Sequence, residues 1–428
     1  MKDSGRQIAR SFEWWLTHRL LLFFGKALFW FMGRRESTGR IDLTRIERVL
    51  IVRLDEIGDV VMTTPSLREL RRNLPNASIT LLVKPSIQNL VALCPYVNEV
   101  LTYDPVGPRY WRSFHAAWRA LRLAHGHLWA RNFDFAVAAR WDHDSYYGSM
   151  VTYLSGARHR IGYSEHVAEE KRRLNPGLHR LLTHSINESA VKHEVERGLE
   201  LIRFLGGGVS EDRLELWVDE EDELFADRFL ENHGIHADDL LVAVAPGARY
   251  MKRMWPIANF VELGTWFKRN FHGFLVVVGS TEDKLLGEEL RLRVGPTVID
   301  ATGRTSVREA AALLKRCHLF VGNDAGPMHL VAAAGLPVLE ISCHPLGASP
   351  GHPNSPVRFG PWGVPHVILR PEKALAPCAE ACSSDQAHCI LGVSVEQAKE
   401  AVATLLPRQA QQEMSETLLP AVSSHSTG

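Results

Sequence analysis

The sequence predicts an α/β protein built from two doubly wound, Rossmann-like domains in tandem. Two series of short apolar segments alternate with helical segments, and a glycine-rich, acidic stretch around residues 206–238 separates them. A turn that contains glycine follows the first apolar segment of each series. Such alternation is typical of parallel sheets covered by helices on both faces. A length of 428 residues suffices for two domains of this kind.

The first series predicts a domain at residues 41–215. Its expected strands are nearly continuous apolar runs, as is usual for parallel strands buried on both faces. They lie at 49–52, 79–83, 135–139 and 160–162, with helices near 64–73, 87–93 and 113–131.

The second series predicts a domain at 216–392, a closing helix at 393–406 and a disordered tail at 407–428. Its strands lie at 241–244, 274–278, 297–300, 319–321 and 338–341, with helices near 220–233, 257–270, 282–294, 306–317 and 328–335. The tail is rich in Gln, Ser and Thr and has no periodic apolar face. Because open parallel sheets bind ligands beyond the carboxyl ends of their strands, we expect the functional site in a cleft between the domains.

Residues 1–40 form a third region, in which aromatic and apolar residues are interrupted by His18, Arg19 and Lys26. A spanning helix needs about 20 mainly apolar residues, and the runs here are shorter. Tryptophan, phenylalanine and basic residues are typical of a helix that lies on a membrane surface, which we expect for residues 11–35. The alternative is a helix packed on the protein's own body.

The overall composition argues against a nucleic-acid partner. Lys plus Arg and Asp plus Glu number 49 each, so the formal net charge is zero, whereas nucleic-acid binding needs a basic surface. Cys94, Cys317 and Cys343 lie in or beside apolar segments and are expected to be buried thiols in a reducing cytoplasm.

Three further cysteines form the cluster Cys378-x3-Cys382-x6-Cys389, with His388 beside the last. Cysteine and histidine at short spacing are zinc ligands in many proteins, but this spacing fits no common zinc module. The pattern favours a structural thiol cluster or a redox-sensitive loop, and the sequence leaves a metal open.

The first glycine turn carries candidate acid–base residues. The strand at 49–52 continues into Arg53, Asp55, Gly58 and Asp59. Gly58 allows the backbone to approach a substrate, and a carboxylate at the mouth of a strand can accept a proton from a hydroxyl group. Position alone favours Asp59 as the N-cap of the next helix.

The turns of the second domain carry candidate anion-binding residues. After the strand at 241–244, a proline-glycine turn precedes Lys252 and Arg253, a pair suited to a diphosphate, although such pairs are commonly solvated. After the next strand, Glu282 is placed either to hydrogen-bond a ribose or to sit as an acid at a helix N-terminus.

The segment 319–336 combines an apolar strand, a turn and a helix start. Here Asp324 is a candidate helix cap, Gly326 permits close backbone approach, and His329 is a further hydrogen-bond donor. The free N–H groups and the dipole of a helix N-terminus attract phosphate. Many α/β proteins have such a junction, so the residue types alone do not identify the ligand.

The string Gly-Asn-Asp-Ala-Gly-Pro-Met-His-Leu-Val-Ala-Ala-Ala-Gly at 322–335 resembles the D-[ST]-G-x-x-H-x-A-A-A signature of the ADP-heptose:lipopolysaccharide heptosyltransferase family. The run from Arg53 to Pro65 is similar to that family's R-x4-G-D-x3-T-x-P signature, and 246–256 is similar to its P-G-A…K-x-W-P element. Weaker matches at 153–163 and 193–197 follow in the right order, so the resemblance covers about residues 48–405.

The resemblance implies a GT-B fold and an inverting, metal-independent glycosyltransferase without a cofactor. It implies Asp59 as the catalytic base, Asp55 as its reserve, and Arg53 and Gly58 on the acceptor side. It also implies a nucleotide-diphosphate sugar donor, a lipid-linked saccharide acceptor, and work at the inner face of the cytoplasmic membrane. The donor contacts it implies are Lys252, Arg253, Glu282, Asp324, Ala325, Gly326, Met328 and His329.

The chain departs from the family's signatures at three places. Ala325 stands where Ser or Thr is usual, so we expect anion binding to depend on the backbone N–H groups of the turn and on His329. Asp55 and Glu56 replace small polar residues, and Arg253 occupies the lysine position with Lys252 one residue earlier. The rival interpretations are a nucleotide-sugar-binding protein without turnover and a dinucleotide-dependent oxidoreductase, which the missing G-x-G-x-x-G disfavours.

Overall fold

The computed structural model describes residues 2–105, 112–379 and 381–406, and the chain divides into two compact units between Asp212 and Arg213. The predicted disordered tail, 407–428, lies outside the described residues. Each unit contains a six-stranded parallel sheet with helices packed against it. The prediction of two Rossmann-like domains is therefore confirmed.

The sheet of the first unit has the strand order β3-β2-β1-β4-β5-β6. Its strands are β1 Arg48–Val52, β2 Ser78–Val83, β3 Glu99–Thr102, β4 Phe135–Ala138, β5 His159–Tyr163 and β6 His184–Ile186. Its helices are α1 Lys2–Phe31, α2 Ile57–Val61, α3 Thr64–Asn73, α4 Gln88–Val91, α5 Arg112–Leu123, α6 Gly148–Leu154, α7 Glu169–Leu174 and α8 Glu194–Phe204.

The sheet of the second unit has the order β12-β11-β10-β7-β8-β9. Its strands are β7 Leu241–Ala245, β8 Phe274–Val277, β9 Val298–Asp300, β10 Leu319–Asn323, β11 Val338–Ile341 and β12 His366–Leu369. Its helices are α9 Glu220–Glu231, α10 Ile257–Phe271, α11 Lys284–Val294, α12 Val307–Leu314, α13 Gly326–Ala333, α14 Pro356–Phe359 and α15 Val395–Leu405.

The central strands form because their residues are apolar on both faces. In β7 all five residues are buried, and in β1 all but the first. The sequence analysis missed β3, β6 and β12, which are short, half-exposed strands that include edge positions of both sheets. An edge strand needs fewer apolar residues because one side of it faces solvent, so its hydrophobic signal is weak.

The predicted helix at 113–131 is interrupted. Helix α5 ends at Leu123, a π-helical turn covers Ala124–Leu128, and a 3₁₀ turn follows over Trp129–Arg131. Asn132 then takes a left-handed conformation, with φ of 46°, which ends the helix. Helix α9, which the sequence analysis expects in the stretch between the domains, packs on α12 of the second unit. Just after α12, Arg316 Nη2 lies 2.6 Å from Asp227 Oδ1 of α9.

Helix α1 packs on the first unit through one face. Trp14, His18 and Phe29 are buried, and the Trp14 indole N–H donates to the Pro176 carbonyl at 3.2 Å. Beyond the helix, the Arg34 guanidinium donates to the carbonyl of Ser155 and to Asn132 Oδ1. The alternative of a helix packed on the protein's own body therefore holds for this face.

The opposite face of α1 is solvent-exposed and aromatic. Its exposed large apolar residues are Phe12, Trp15, Leu20, Phe23, Phe24, Trp30 and Phe31. Arg19 and Lys26 are exposed on the same helix, and the Arg19 guanidinium lies 5.3 Å from the centre of the Trp15 ring. Over the described part of the chain, no helix has both the length and the apolar character needed to cross a membrane.

Candidate functional site

Both sheets have the same topology, and the predicted site residues follow strands near the point where the strand order reverses. In the first sheet this point lies between β1 and β4, and in the second between β7 and β10. Ligands of open α/β sheets bind at such points because the loops on either side diverge there. Each unit therefore has a candidate location of its own.

The first-unit cluster consists of five charged residues after β1 and β4. Arg53 Nε lies 3.3 Å from Asp55 Oδ2, and Arg53 Nη2 lies 3.8 Å from Asp59 Oδ1. Arg140 forms an ion pair with Asp55 and, at 2.5 Å from Nε to Oδ1, with Asp142. The structure thus brings the predicted residues Arg53, Asp55 and Asp59 together.

Asp59 is the third residue of α2 and not its N-cap, a position that Glu56 occupies. The N-cap interpretation is therefore wrong in position, although the Asp59 carboxylate does accept the Glu56 backbone N–H at 3.3 Å. Burial and the negative charge of Asp55 raise the pKa of Asp59 to about 6, against the opposing charges of Arg140 and Arg53. With 16% of its side chain exposed, Asp59 has the access and the pKa of a general base.

Glu56 lies beside this cluster and has further partners of its own. Its Oε1 lies 2.6 Å from Lys84 Nζ and accepts the Tyr146 hydroxyl at 2.6 Å. The Lys84 ammonium also lies 3.6 Å from the centre of the Tyr146 ring. Gly58 is buried within α2, and Glu194 at the start of α8 adds a negative charge that also raises the pKa of Asp59.

In the second unit, Asn323 fixes the loop that follows β7 (residues 246–255), which is called the donor loop because the family resemblance implies donor contacts there. Asn323 ends β10 and is fully buried. Its Oδ1 accepts the backbone N–H of Trp255 at 3.0 Å, and its Nδ2 donates to the Pro246 carbonyl at 2.8 Å. One amide side chain therefore holds both ends of the donor loop.

Arg253 connects the donor loop to the turn after β10. Its Nη1 lies 3.1 Å from Asp324 Oδ2, and its Nη2 donates to the Asn354 side chain. The prediction that Asp324 caps α13 is wrong, since the N-cap is Ala325 and the Asp324 carboxylate pairs with Arg253.

Helix α13 begins at Gly326 without a side-chain acceptor at its N-cap, because that residue is alanine. Pro327 has no N–H, and the Met328 N–H donates to the Ala325 carbonyl at 3.1 Å. The first turn therefore presents the Gly326 N–H and the positive end of the helix dipole. Met328 and His329 are 0% and 5% exposed, so their side chains have little surface to offer a ligand.

Lys252 and Glu282 also follow strands of the second sheet, and within the described part of the chain neither forms a hydrogen bond or ion pair with the turn before α13. Lys252 Nζ donates to the Cys382 carbonyl at 3.3 Å. Glu282 is exposed in the single turn Thr281–Asp283 after β8, where its backbone N–H donates to the Ser280 hydroxyl at 3.2 Å. Of the two candidate cations, Arg253 is therefore the one in contact with the turn before α13.

The electrostatics of this edge favour an anion. Burial raises the pKa of Asp324, and the charge of Arg253 opposes that effect. Burial and the charge of Asp324 raise the pKa of Glu340, in β11, well above its usual range, which favours its neutral form. Arg253 and Lys252 are cations of the donor loop on this edge.

The sequence analysis missed Arg140 as a site residue and Asn323 as the residue that holds the donor loop. Arg140 follows β4, whose neighbour β1 lies more than eighty residues earlier in the chain, and this pairing is invisible in the sequence order. The sequence signal that could have indicated Arg140 is its place, with Asp142, directly after a buried strand. Asn323 looked like part of a turn, although it ends a strand.

Comparison with known proteins identifies what this arrangement is similar to. Residues 121–388 match the model of glycosyltransferase family 9 (heptosyltransferase), a range that contains the second-unit residues and begins after Asp59. Lipooligosaccharide heptosyltransferase 2 of Haemophilus ducreyi is 24% identical over 334 residues, which cover 76% of this chain and 88% of that protein.

Two solved structures show the same fold. The glycosyltransferase family 9 protein from Veillonella parvula superposes with a TM-score of 0.70 and 21% identity, over 86% of this chain and 99% of that one. The E. coli heptosyltransferase WaaC with ADP superposes with a TM-score of 0.58 and 17% identity, with the same coverage.

Proposed function

The chain belongs to glycosyltransferase family 9, the heptosyltransferase family, and we propose that this glycosyltransferase moves heptose from ADP-heptose to a lipid-linked saccharide of the lipopolysaccharide core. The names of the relatives support the acceptor class, and the presence of ADP in the WaaC structure supports an adenine nucleotide donor. The observation that carries a catalytic role is the partly exposed Asp59 carboxylate, with a pKa of about 6, beside Asp55 and Arg53.

The proposed reaction is a single displacement with inversion at the anomeric carbon. Asp59 accepts the proton of the acceptor hydroxyl as that oxygen bonds to the anomeric carbon, and the bond from this carbon to the diphosphate breaks. General-base assistance of this kind contributes about 10²–10⁴-fold to a rate. Arg53 and Arg140 pair with Asp55, whose negative charge raises the pKa of Asp59.

On the donor side, the departing diphosphate gains negative charge. Arg253 and the start of α13 at Gly326 are the groups that we propose stabilise this charge, with Lys252 as the neighbouring cation. In this proposal, cationic side chains do what a divalent metal does in other transferases. Glu282, exposed beyond β8, is proposed to contact the ribose hydroxyl groups.

The deciding experiment is a transfer assay with the full-length protein, ADP-heptose and a lipid-linked core saccharide. We expect heptosyl transfer with inverted anomeric configuration by NMR, and a rate that added Mg²⁺ leaves unchanged. Asp59→Asn, which keeps the side-chain volume, is expected to lower kcat by about 10²–10⁴-fold, whereas the exposed-site control Asp42→Asn is expected to retain the wild-type rate.

Three outcomes, from this assay and from a thermal-shift measurement with nucleotide sugars, would count against the proposal. Thermal stabilisation by UDP-sugars alone, and not by ADP-heptose, would contradict the donor. Binding of ADP-heptose without transfer in any variant would indicate a nucleotide-sugar-binding protein. Equal kcat for wild type and Asp59→Asn would exclude Asp59 as the base.

We also propose that the protein works at the cytoplasmic face of the inner membrane, held by the exposed face of α1. This face presents Phe23, Phe24 and Trp30 at 74%, 64% and 76% exposure, with Arg19 and Lys26 nearby. Aromatic rings enter the headgroup boundary, and cations contact anionic lipids. Because a lipid-linked acceptor lies in the membrane, a membrane-binding surface would bring the enzyme to its acceptor.

Vesicle sedimentation tests the membrane proposal. The double variant Phe23→Ser with Phe24→Ser is expected to lose most of its binding to vesicles containing anionic phospholipid. The control Leu285→Ser with Leu292→Ser removes two equally exposed apolar residues, 78% and 67%, from α11 and should bind normally. Surface variants are preferable to deleting the helix, because Trp14 and Phe29 belong to the core of the first unit.

A further inference from the structure

The loop between β12 and α15 brings four metal-ligating side chains to one point. One ligand atom from each of Cys378, Cys382, His388 and Cys389 lies within 4.8 Å of the other three. The three cysteines are buried, and His388 is half-buried. All six cysteines of the chain lie within the described ranges and are thiols.

The distances within this cluster match those of ligands that share one ion. His388 Nδ1 lies 3.6 Å from Cys378 Sγ and 3.6 Å from Cys389 Sγ. With metal–sulfur bonds of about 2.3 Å and metal–nitrogen bonds of about 2.0–2.1 Å, a tetrahedral zinc site has a nitrogen–sulfur edge of about 3.6 Å. One imidazole nitrogen equidistant from two thiols is better explained by a common centre than by a single hydrogen bond.

Ser383 adds a second layer of contacts around the cluster, at Cys378. The Ser383 backbone N–H donates to Cys378 Sγ at 3.4 Å, and the Ser383 hydroxyl lies 3.5 Å from the same sulfur. Hydrogen bonds to ligand atoms from a second layer of residues are characteristic of metal sites. Cys317 differs, since its Sγ contacts the Leu313 carbonyl of its own helical segment at 3.7 Å.

We propose that Cys378, Cys382, His388 and Cys389 bind one zinc ion in a tetrahedral site with three sulfur ligands and one nitrogen ligand. Four protein ligands complete a tetrahedron, so the ion has a structural role and takes no part in sugar transfer. The loop from Arg370 to His388 lies between β12 and the helical turn Cys389–Gly392, and the metal would fix it.

The site also supports the donor loop. The Cys382 carbonyl accepts Lys252 Nζ at 3.3 Å, and the Val393 carbonyl accepts the Trp255 indole N–H at 2.9 Å. Both of these carbonyls belong to residues at or near the metal ligands. Loss of the ion is therefore expected to loosen the donor loop and to raise the KM for the donor, in addition to lowering stability.

Elemental analysis of the purified full-length protein tests the proposal without reference to activity. We expect about one zinc ion per chain and, after exchange with Co²⁺, the visible absorption of tetrahedral cobalt with a thiolate charge-transfer band. Cys389→Ser should reduce the zinc content by at least about 10-fold, and Cys94→Ser, which alters a buried thiol elsewhere, should not.

His388→Cys keeps the test informative if Cys389→Ser does not fold. It preserves four ligands, so zinc should be retained and the cobalt charge-transfer band should intensify with the fourth sulfur. Zinc below about a tenth of an ion per chain, with no cobalt spectrum in the folded wild type, would overturn the proposal. Iron in place of zinc, or a disulfide among these cysteines, would overturn it too.

Discussion

The two units share one topology and differ in the residues that come after their first strands. In each, the first strand lies in the middle of the sheet and the fourth strand returns to its other side. In each, an Arg–Asp ion pair lies at the point of reversal: Arg140 with Asp55 in the first, and Arg253 with Asp324 in the second. The fold therefore provides one candidate ligand-binding location in each unit, at the same point of the sheet topology.

The two locations differ in the charged groups at their helix starts. In the first unit the start of α2 is occupied by the protein's own carboxylate, Asp59, and neighbouring acids raise the pKa of that carboxylate. In the second unit the N-cap is Ala325, which has no side-chain acceptor, and Arg253 pairs with Asp324 directly before the helix start. In the proposed reaction, Asp59 at the first helix start is the base for the acceptor, and the uncapped start of α13 is suited to the anion of the donor.

After the Asp59 substitution, the largest expected effect comes from removing Arg253 in the second unit. Arg253→Ala should lower kcat/KM for the donor by about 10²–10³-fold, because the leaving diphosphate loses a positive charge and Asp324 stays buried without its ion partner. The matched control is Arg308→Ala, which breaks ion pairs with Asp219 and Asp222 on the same unit. Initial rates at varied donor concentration measure both, and equal losses would show that the Arg253 effect is structural.

The next effect concerns the scaffold of the donor loop. Asn323→Ala removes two buried hydrogen bonds, so the free energy of unfolding should fall by about 2–4 kcal/mol in urea denaturation. Asn270→Ala, which removes a single bond to the Trp266 carbonyl at 2.7 Å on α10, should cost about 1 kcal/mol or less. A similar cost for both variants would mean that Asn323 does not hold the loop.

A smaller effect tests the acid cluster of the first unit. If Asp59 is the base, kcat/KM rises with pH through the pKa of about 6 as the carboxylate loses its proton. Asp55→Asn removes a negative charge that raises this pKa, so the rising limb should move to lower pH by up to about one unit, or about 1.4 kcal/mol. A limb that stays in place or moves upward would contradict the proposed coupling.

The smallest expected effect comes from adding a side-chain cap to the start of α13, which makes it more like the start of α2. Ala325 has extended backbone angles, φ −154° and ψ 169°, that suit a capping residue. Ala325→Ser should therefore raise the free energy of unfolding by about 0.5–2 kcal/mol. Ala333→Ser, at the other end of α13, should give no gain in the same denaturation experiment, and a gain there would rule out capping as the cause.

The fold was predictable because its signal is local. Buried central strands such as β1 and β7 are continuous apolar runs, and the turns after them contain glycine and charged residues. The half-exposed β3, β6 and β12 were missed because a strand with one solvent-facing side needs fewer apolar residues. The same locality explains why the sequence predicts Asp59 and Arg253 as candidates and does not indicate Arg140.

The sequence by itself determined two Rossmann-like domains, the family resemblance, and which loops carry charged residues, since each of these depends on neighbouring residues. Only the tertiary structure decided that Asp324 pairs with Arg253 and does not cap α13, and that Arg140 joins Asp55. It also decided that α1 has a packed and an exposed face. These facts depend on which distant segments meet, and the pKa of Asp59 depends on the burial and charges that such meetings create.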